Sequence, residues 1–176
     1  MNKPIYLIVH HFGGTDANPL ADTSNQTFEI VNEYHKSLWN FKSSLGFYTG
    51  YHYIIEKDGS LHQGRADTDT GAHTIGYNNQ SLGIALAGNF DFSDPTPAQV
   101  AALQKLLVVK SQQYSIAPEN IVPHRKFAAK SCYGSRLSDD WARNLVSPTM
   151  TREEKIAKAT KLLNEAVELL KDIIVI

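Results

Sequence analysis

The chain has 176 residues, of which 42% are apolar and 20% are charged, and its formal net charge is -1. This length and composition indicate one globular domain with room for a small appendage, and they exclude a disordered chain. The nearly neutral balance gives no electrostatic reason to expect nucleic acid as a partner. No stretch approaches the roughly 18 apolar residues of a membrane span. A single cysteine excludes an internal disulfide, so the fold does not depend on an oxidising compartment.

The first predicted elements are a strand and a helix. The apolar run PIYLIVHH, residues 4–11, predicts a buried strand that ends at His10 and His11, and functional side chains often emerge at such ends. Residues 27–39 have the periodicity of an amphipathic helix that packs on a sheet. The buried face of this helix is predicted to contain Phe28, Val31, Tyr34 or His35, and Leu38.

A hairpin and another strand are predicted next. The segment GYHYIIEKDGSLHQGR, residues 50–65, contains two β-like runs around Asp58-Gly59, a dipeptide that favours tight hairpin turns. Strand alternation predicts Tyr51 and Tyr53 on one face and His52 on the other. The apolar segment SLGIALAG, residues 81–88, predicts a further strand.

The clearest helix signal lies in TPAQVAALQKLLVVKSQQY, residues 96–114. Thr96 is a candidate N-cap, Pro97 suits the first helical position, and Gln99 completes a capping box. The predicted buried stripe of this helix is Val100, Leu103, Leu106 and Leu107. After it, NIVPH (120–124) predicts a brief strand, HRKFAAKSCYG (124–134) a loop, and residues 138–145 a short helix.

The character of the chain changes near Ser147-Pro148, so we predict two domains, 1–148 and 149–176. From residue 151 onward, apolar residues recur at spacings of three and four, as in a helix with an apolar seam. Three interpretations are open for this tail: docking on the first domain, self-association into a homo-oligomer, or contact with a membrane or envelope. Its balanced charge argues against binding an anionic membrane. The seam consists of Ile156, Ala159, Leu163, Ala166, Leu170 and Ile173.

Cys132 lies in the predicted loop, eight residues after His124. It could be a metal ligand, a nucleophile with a histidine as its base, or a buried thiol that only fills space. The polar, glycine-containing surroundings AAKSCYGS do not look like core. Together with His10, two imidazoles and one thiolate would make the three-ligand set of a catalytic zinc site. Spacing alone does not separate the ligand from the nucleophile.

Four motifs in order connect the chain to a known family: LIVHH, GYHYIIEKDGSLHQGR, GAHTIGYNNQSLGIALAGNF and PHRKFAAKSC. Over about residues 5–146 the chain resembles the type 2 N-acetylmuramoyl-L-alanine amidases, which include phage endolysins and animal peptidoglycan-recognition proteins. The resemblance implies an α/β fold, with a mixed central sheet flanked by helices on both faces. It also implies zinc-dependent hydrolysis of the amide between N-acetylmuramic acid and L-alanine in bacterial peptidoglycan, with 1–148 as the catalytic domain.

The resemblance further implies which residues hold the metal. The ligands of one Zn²⁺ per chain would be His10, His124 and Cys132. Two neutral imidazoles and a thiolate leave such a site with a net charge of about +1, which lowers the pKa of a water molecule enough to make a nucleophile at neutral pH.

Four more residues match functional positions of the family. Tyr51 and Lys130 match residues that phage amidases use beside the metal, where they could stabilise an oxyanion. His73 and Asn78 match residues that line the substrate groove. The muropeptide-recycling branch has a glutamate base at the position of Ala85, so this chain resembles the endolysin branch instead. Tyr51 and Lys130 are then both candidates for moving the proton to the leaving amine.

The implied partner is bacterial peptidoglycan. Because the apolar run at residues 5–9 is shorter than the core of an export signal, we expect synthesis in the host cytoplasm and action on the cell wall at lysis. Two alternatives come from other classes: a non-catalytic peptidoglycan-binding module, and a cysteine hydrolase with Cys132 as nucleophile.

Overall fold

A computed structural model describes residues 1–14, 17–146 and 152–174. These residues form two units, one within residues 1–146 and one that consists of residues 152–174. The strands are β1 (Tyr6–His11), β2 (Tyr53–Ile55), β3 (Leu61–Gln63), β4 (Ser81–Leu86) and β5 (Ile121–Pro123). The α-helices are α1 (Phe28–Trp39), α2 (Pro97–Tyr114), α3 (Trp141–Asn144) and α4 (Arg152–Ile174), and short 3₁₀ helices cover Pro118–Asn120 and His124–Lys126.

Within the described residues the strands form one sheet in the order β3-β2-β4-β1-β5. The strand β1, next to the edge strand β5, is parallel to both of its neighbours, β4 and β5. On the far side, β2 is parallel to β4 and makes an antiparallel hairpin with β3. The sheet is therefore mixed, as predicted. The carboxyl ends of the parallel strands β4, β1 and β5 lie side by side and form the carboxyl edge of the sheet.

The two faces of the sheet carry separate apolar clusters. Leu7, Val9 and Ile84 point to the face covered by α2, where they meet Leu103 and Leu107. On the other face, α1 packs its Phe28 and Val31 against Ile54 and Ala85. Alternation along the strands explains this division, since successive side chains point to opposite faces. The prediction of helices on both faces is confirmed.

The sequence signals that predict the start of α2 are confirmed. The Thr96 hydroxyl accepts a hydrogen bond from the Gln99 amide at 3.1 Å, and Gln99 Oε1 accepts one from the Thr96 amide at 3.0 Å, which completes the capping box. Gln99 is also buried, and its amide group donates to the Ala87 carbonyl at 2.7 Å. Val100 is only half-buried, so the predicted stripe of α2 is shifted toward Gln99.

The buried face of α1 differs from the prediction at its C-terminal end. Phe28, Val31 and His35 are buried, whereas Tyr34 and Leu38 are exposed. The last turns of α1 contact the loop before β2 instead of the sheet: the His35 Nδ1 atom accepts a hydrogen bond from the Gly50 amide at 2.9 Å. This contact with the loop buries the side of α1 that carries His35 and leaves the Tyr34 and Leu38 side chains exposed.

The predicted alternation before β2 is wrong. Tyr51 packs with the cluster on the α1 face, while Tyr53 belongs to the cluster on the α2 face. The strand begins only at Tyr53, and the two residues before it form a bend. A bend interrupts the two-residue period, so the faces cannot be extrapolated back to Tyr51. Two smaller differences are the 3₁₀ turn at His124–Lys126 inside the predicted loop and the shorter extent of α3, Trp141–Asn144.

The tail forms the predicted long helix, α4. The predicted domain boundary at 148/149 lies outside the described residues. Apolar side chains along α4 are exposed, among them Ile156, Leu163 and Leu170. Across the described ranges, no helix combines the length and apolar content that crossing a bilayer requires.

His35 should make the fold sensitive to mild acid. Burial lowers its pKa from 6.5 to about 4, and the charge of Arg65 adds to this. The unfolded chain therefore binds a proton as the pH falls below about 6.5 while the folded chain does not, so stability falls between about pH 6.5 and 4. His35→Gln keeps an acceptor for the Gly50 amide but cannot titrate. We expect the free energy of unfolding to fall between pH 7 and pH 5 by about 2 kcal/mol less in this variant than in the native chain.

Urea unfolding at the two pH values, with a chelator present so that metal release does not contribute, measures this difference. Other buried histidines titrate equally in both proteins and cancel. Equal losses in the variant and the native chain would show that His35 does not carry the effect.

Candidate metal centre

The site lies at the carboxyl edge of the sheet, where the parallel strands end. His10 is the penultimate residue of β1, and His124 directly follows the last residue of β5. Because Val9 pairs with Pro123 in the parallel register, the two histidines leave neighbouring strands side by side. The loop after the 3₁₀ turn then returns Cys132 to the same edge. Residues 122 positions apart in the sequence are thereby brought into contact.

The donor atoms of these three residues converge. One ligand atom from each of His10, His124 and Cys132 lies within 4.8 Å of the other two. The His10 Nδ1 atom is 3.7 Å from Cys132 Sγ, and the two imidazole rings are 4.5 Å apart between centroids. His10 and Cys132 are buried and His124 is half-buried, so the group opens to solvent on the His124 side.

This donor set suits zinc. Zinc binds imidazole nitrogen at about 2.0–2.1 Å and thiolate sulfur at about 2.3 Å in a tetrahedral arrangement, which places such a nitrogen and sulfur about 3.5–3.6 Å apart. The observed separation of 3.7 Å between His10 Nδ1 and Cys132 Sγ matches that requirement. Three protein donors also leave a fourth position for water or substrate, as in catalytic zinc sites. The residues present therefore fit a bound zinc ion.

The electrostatics keep the three donors neutral until a cation binds. Burial lowers the pKa of His10 well below its usual value, and the nearby His73 and His124 add to this. Burial also lowers the pKa of His124, with a further contribution from the charge of Lys130. Burial raises the pKa of Cys132 to about 12, although the backbone of His11 and the Lys130 charge act in the opposite direction. At neutral pH the imidazoles offer lone pairs, and the thiol needs a cation to ionise.

Tyr51 lies directly beside the centre. Its ring is 5.2 Å from the His10 ring and 6.4 Å from the His73 ring, between centroids. Burial raises the pKa of the Tyr51 hydroxyl well above its usual value, and a Cys132 thiolate adds to the effect. The hydroxyl therefore keeps its proton at neutral pH and can donate a hydrogen bond.

Lys130 is exposed on the loop that carries Cys132. Its charge lowers the pKa of both His124 and Cys132. The structure thus places the Tyr51 ring beside His10, and Lys130 on the loop that carries Cys132.

His73 and Asn78 belong to the loop before β4. The His73 Nδ1 atom is 3.1 Å from His10 Nε2, and burial lowers the pKa of His73 well below its usual value, so its ring is neutral. The Asn78 Oδ1 atom accepts hydrogen bonds from the amides of His73 and Thr74, at 2.9 and 2.8 Å. His73 therefore contacts a proposed ligand directly, whereas the Asn78 side chain shapes the turn that carries His73.

His11 points away from the centre, as its place on the strand predicts. Its Nδ1 atom accepts a hydrogen bond from the Phe90 amide at 2.9 Å, on the face covered by α2. Its side chain has a structural role.

Arg125 organises the loop that carries Cys132, and sequence reasoning missed it. Its guanidinium donates hydrogen bonds to the carbonyls of Ser131, Gly134 and Leu137, at 3.2, 2.7 and 2.6 Å. Its own amide donates to the Cys132 carbonyl at 2.7 Å. Nothing in the sequence around Arg125 indicates that the carbonyls of an irregular loop would surround it.

Asp91, also missed from the sequence, holds the same loop from the other side. Its two carboxylate oxygens accept hydrogen bonds from the Ser131 hydroxyl at 2.8 Å and from the Ser135 amide at 2.7 Å. These bonds lower the pKa of Asp91 despite the opposing effect of burial. Two charged side chains, Arg125 and Asp91, thus hold the loop that carries Cys132.

The fold and the donor set define a class of protein. The chain belongs to the N-acetylmuramoyl-L-alanine amidase family, whose family model matches residues 1–136. The resemblance found in the four motifs is confirmed, and so is the α/β fold.

Particular relatives are of two kinds. An endolysin of Klebsiella phage KP32 is 38% identical over 100 residues, which cover 54% of this chain and 65% of the endolysin, just under two thirds of its length. Peptidoglycan-recognition protein SC1a of Drosophila melanogaster is 30% identical over 134 residues, 75% of this chain and 69% of that protein. A solved structure, the endolysin N-acetylmuramoyl-L-alanine amidase LysCS from Clostridium intestinale, superposes with a TM-score of 0.62 and 28% identity over 76% of each chain.

The anchoring role of Arg125 predicts a local effect on the loop. Arg125→Ala leaves three carbonyls without their charged donor, a loss of about 1–3 kcal/mol for such groups. Amide hydrogen exchange in residues 127–137 should therefore accelerate, while exchange in β1 and β4 stays slow. Arg136→Ala is the matched control, because it removes an exposed guanidinium from the same loop, where it pairs with Asp94. Equal acceleration in both variants would contradict the anchoring role.

Proposed function

We propose that this chain is a zinc-dependent amidase, which cleaves the bond between N-acetylmuramic acid and L-alanine in bacterial peptidoglycan. The observation that carries the proposal is the convergence of His10, His124 and Cys132 within 4.8 Å in a member of the amidase family. The similarity to phage endolysins supports a role in lysing the host cell wall, with the protein in the host cytoplasm until lysis. Peptidoglycan is then the partner, and nucleic acid is not.

The three donors would hold one zinc ion. When bound, zinc polarises the scissile carbonyl and lowers the pKa of water, which supplies a nucleophile at neutral pH. The protein's part is to keep the two imidazoles neutral, to orient all three donors, and to leave the side near His124 open to a substrate.

Tyr51 and Lys130 are the proposed catalytic residues. The protonated Tyr51 hydroxyl, beside the His10 ring, can donate a hydrogen bond to the oxyanion that develops on the carbonyl oxygen. The Lys130 ammonium, on the exposed loop two residues before Cys132, can stabilise the same charge from the solvent side. Both can supply a proton to the leaving amine of L-alanine. His73 and Asn78 stay predictions as substrate-binding residues.

Two alternatives fit the site less well. A cysteine hydrolase needs a thiolate, but burial raises the pKa of the Cys132 thiol to about 12 and the neighbouring histidines are neutral. A non-catalytic peptidoglycan-binding module has a basis in the similarity to peptidoglycan-recognition proteins. The retention of all three donors favours the amidase over that module.

The amidase proposal predicts specific products. Peptidoglycan digested with the chain should yield stem peptides with new free L-alanine amines and glycan strands with free lactyl carboxylates, which mass spectrometry identifies. Exhaustive chelation should abolish this cleavage and added Zn²⁺ should restore it. Cleavage that survives chelation would refute the metal, and binding to the wall without new amines would favour the binding module.

Substitutions at the site provide the controls for that experiment. Cys132→Ser should lose both bound zinc and cleavage. Tyr51→Phe and Lys130→Ala should retain one zinc per chain but cleave about a hundred- to a thousand-fold more slowly, since each removes a group that acts on the oxyanion. If Lys130→Ala loses its metal instead, the assigned role is wrong.

The tail helix α4 is proposed to associate with α4 of other copies. Ile156, Leu163 and Leu170 recur every seven residues, and all three are exposed along the helix. A seven-residue apolar repeat is the pattern that packs helices against each other. Docking of α4 on the catalytic domain is the alternative.

Self-association predicts a mass that depends on the seam. Leu163→Asp places a charge in the apolar repeat, so sedimentation should report a smaller oligomer than for the native chain. Lys161→Gln changes a charge on an exposed residue of the same helix and should leave the mass unchanged. Cleavage of soluble muropeptides should be equal in all three proteins. A monomeric native chain would refute the proposal.

A further inference from the structure

The second ring nitrogen of His10 has a specific partner. While Nδ1 faces Cys132 Sγ at 3.7 Å, Nε2 lies 3.1 Å from the Nδ1 atom of His73. Histidines that bind a metal through one nitrogen generally donate the N–H of the other to an acceptor, which fixes the tautomer and the ring orientation. His73 occupies the place of that acceptor.

A metal bound to His10 Nδ1 would give the hydrogen bonds around His73 one consistent direction. With His10 bound to metal through Nδ1, its Nε2 carries the proton, and His73 Nδ1 accepts it. The proton of His73 is then on Nε2, which is 3.4 Å from the Ser81 hydroxyl. Ser81 in turn donates to the Tyr77 carbonyl at 2.6 Å. The Thr74 hydroxyl, 2.9 Å from His73 Nδ1 and 3.5 Å from His10 Nε2, lies against the same bond.

The His73 ring is held in a slot between two glycines. A Cβ atom at Gly83 would lie 2.4 Å from the ring, and one at Gly71 would lie 2.5 Å from it. Glycine in the middle of a buried strand such as β4 lowers stability and often marks a close approach of another group. At Gly83 the approaching group is this ring. The Asn78 side chain also fixes the backbone at His73, so the ring has little freedom to turn toward a ligand.

We propose that His73 is a positioning residue, which holds His10 with its Nδ1 atom toward the metal centre. This positioning role is an alternative to the substrate-binding role that the family resemblance implies for His73. It rests on the proposed function, because it requires that His10 bind zinc. Loss of such a partner weakens metal binding by about 10- to 100-fold, even though the partner never touches the metal.

The test measures zinc affinity in the full chain by competition with a chelating dye. His73→Phe fills the slot with a ring that accepts no hydrogen bond, and we expect its zinc affinity to fall by about 10- to 100-fold. His73→Gln offers a carbonyl oxygen to His10 and should restore most of the affinity. Ile75→Ala, at an exposed position of the same loop, is the control and should bind zinc like the native chain. His73→Leu replaces the phenylalanine variant if that one does not fold.

The outcomes separate this inference from the proposed function. Native affinity in His73→Phe, or equal weakening in the phenylalanine and glutamine variants, would overturn the positioning role while the zinc amidase stands. A substrate-contacting residue would give that first result together with a raised KM. A native chain that binds no zinc would overturn the proposed function and this inference with it.

Discussion

The structure depends on the parallel pairing of β1 with β5. Only this register brings His10 and His124, which are more than a hundred residues apart, to the same edge of the sheet. Parallel strands need long crossover connections, and in this chain the connection from β1 to β5 contains α1, the hairpin, β4 and α2. Every element between the two histidines therefore contributes to keeping them adjacent. His73 reaches His10 in another way: its loop enters β4 at the opposite end of the strands, and its ring lies over Gly83, the β4 residue that pairs with Ile8 of β1.

The third donor is held in a different way. Cys132 lies on a loop, whose backbone groups have no sheet or helix to satisfy them. Arg125 and Asp91 supply those hydrogen bonds from opposite sides, so the loop gains from side chains the rigidity that strands gain from their neighbours. Arg125 directly follows His124 in the sequence. The residue after one donor thus anchors the segment that carries another, and the two parts of the site are mechanically connected.

The sequence predicts the features that depend on local signals. The capping box at Thr96 and Gln99, the Asp58-Gly59 turn and the apolar strands all have their cause within a few residues, and all are present. Features that depend on a distant contact are predicted poorly. Leu38 is exposed because α1 meets the loop at Gly50 instead of the sheet, and the face of Tyr51 is set by a bend.

The same limit applies to the site. The identity of the three donors follows from family motifs, and their convergence is present in the structure. The contact between His73 and His10, and the carbonyls around Arg125, depend on how irregular loops pack against distant parts of the chain. Hydrophobic periodicity in the sequence carries no information about such packing.

The charge of the site explains why it can be so deeply buried. Isolated ionised groups are costly in a protein interior, yet His10 and Cys132 are both buried beside neutral neighbours. Because burial lowers the histidine pKa and raises the cysteine pKa, all three donors are uncharged before a cation binds, and the fold carries no unpaired buried charge there. Binding of a divalent cation would replace one thiol proton by two positive charges and would leave a net positive centre on the open side. A carboxylate in place of the thiol would ionise more readily and would need a buried counter-charge. A cysteine at this position is therefore compatible both with a stable core and with a site that would become electrophilic once a metal ion is bound.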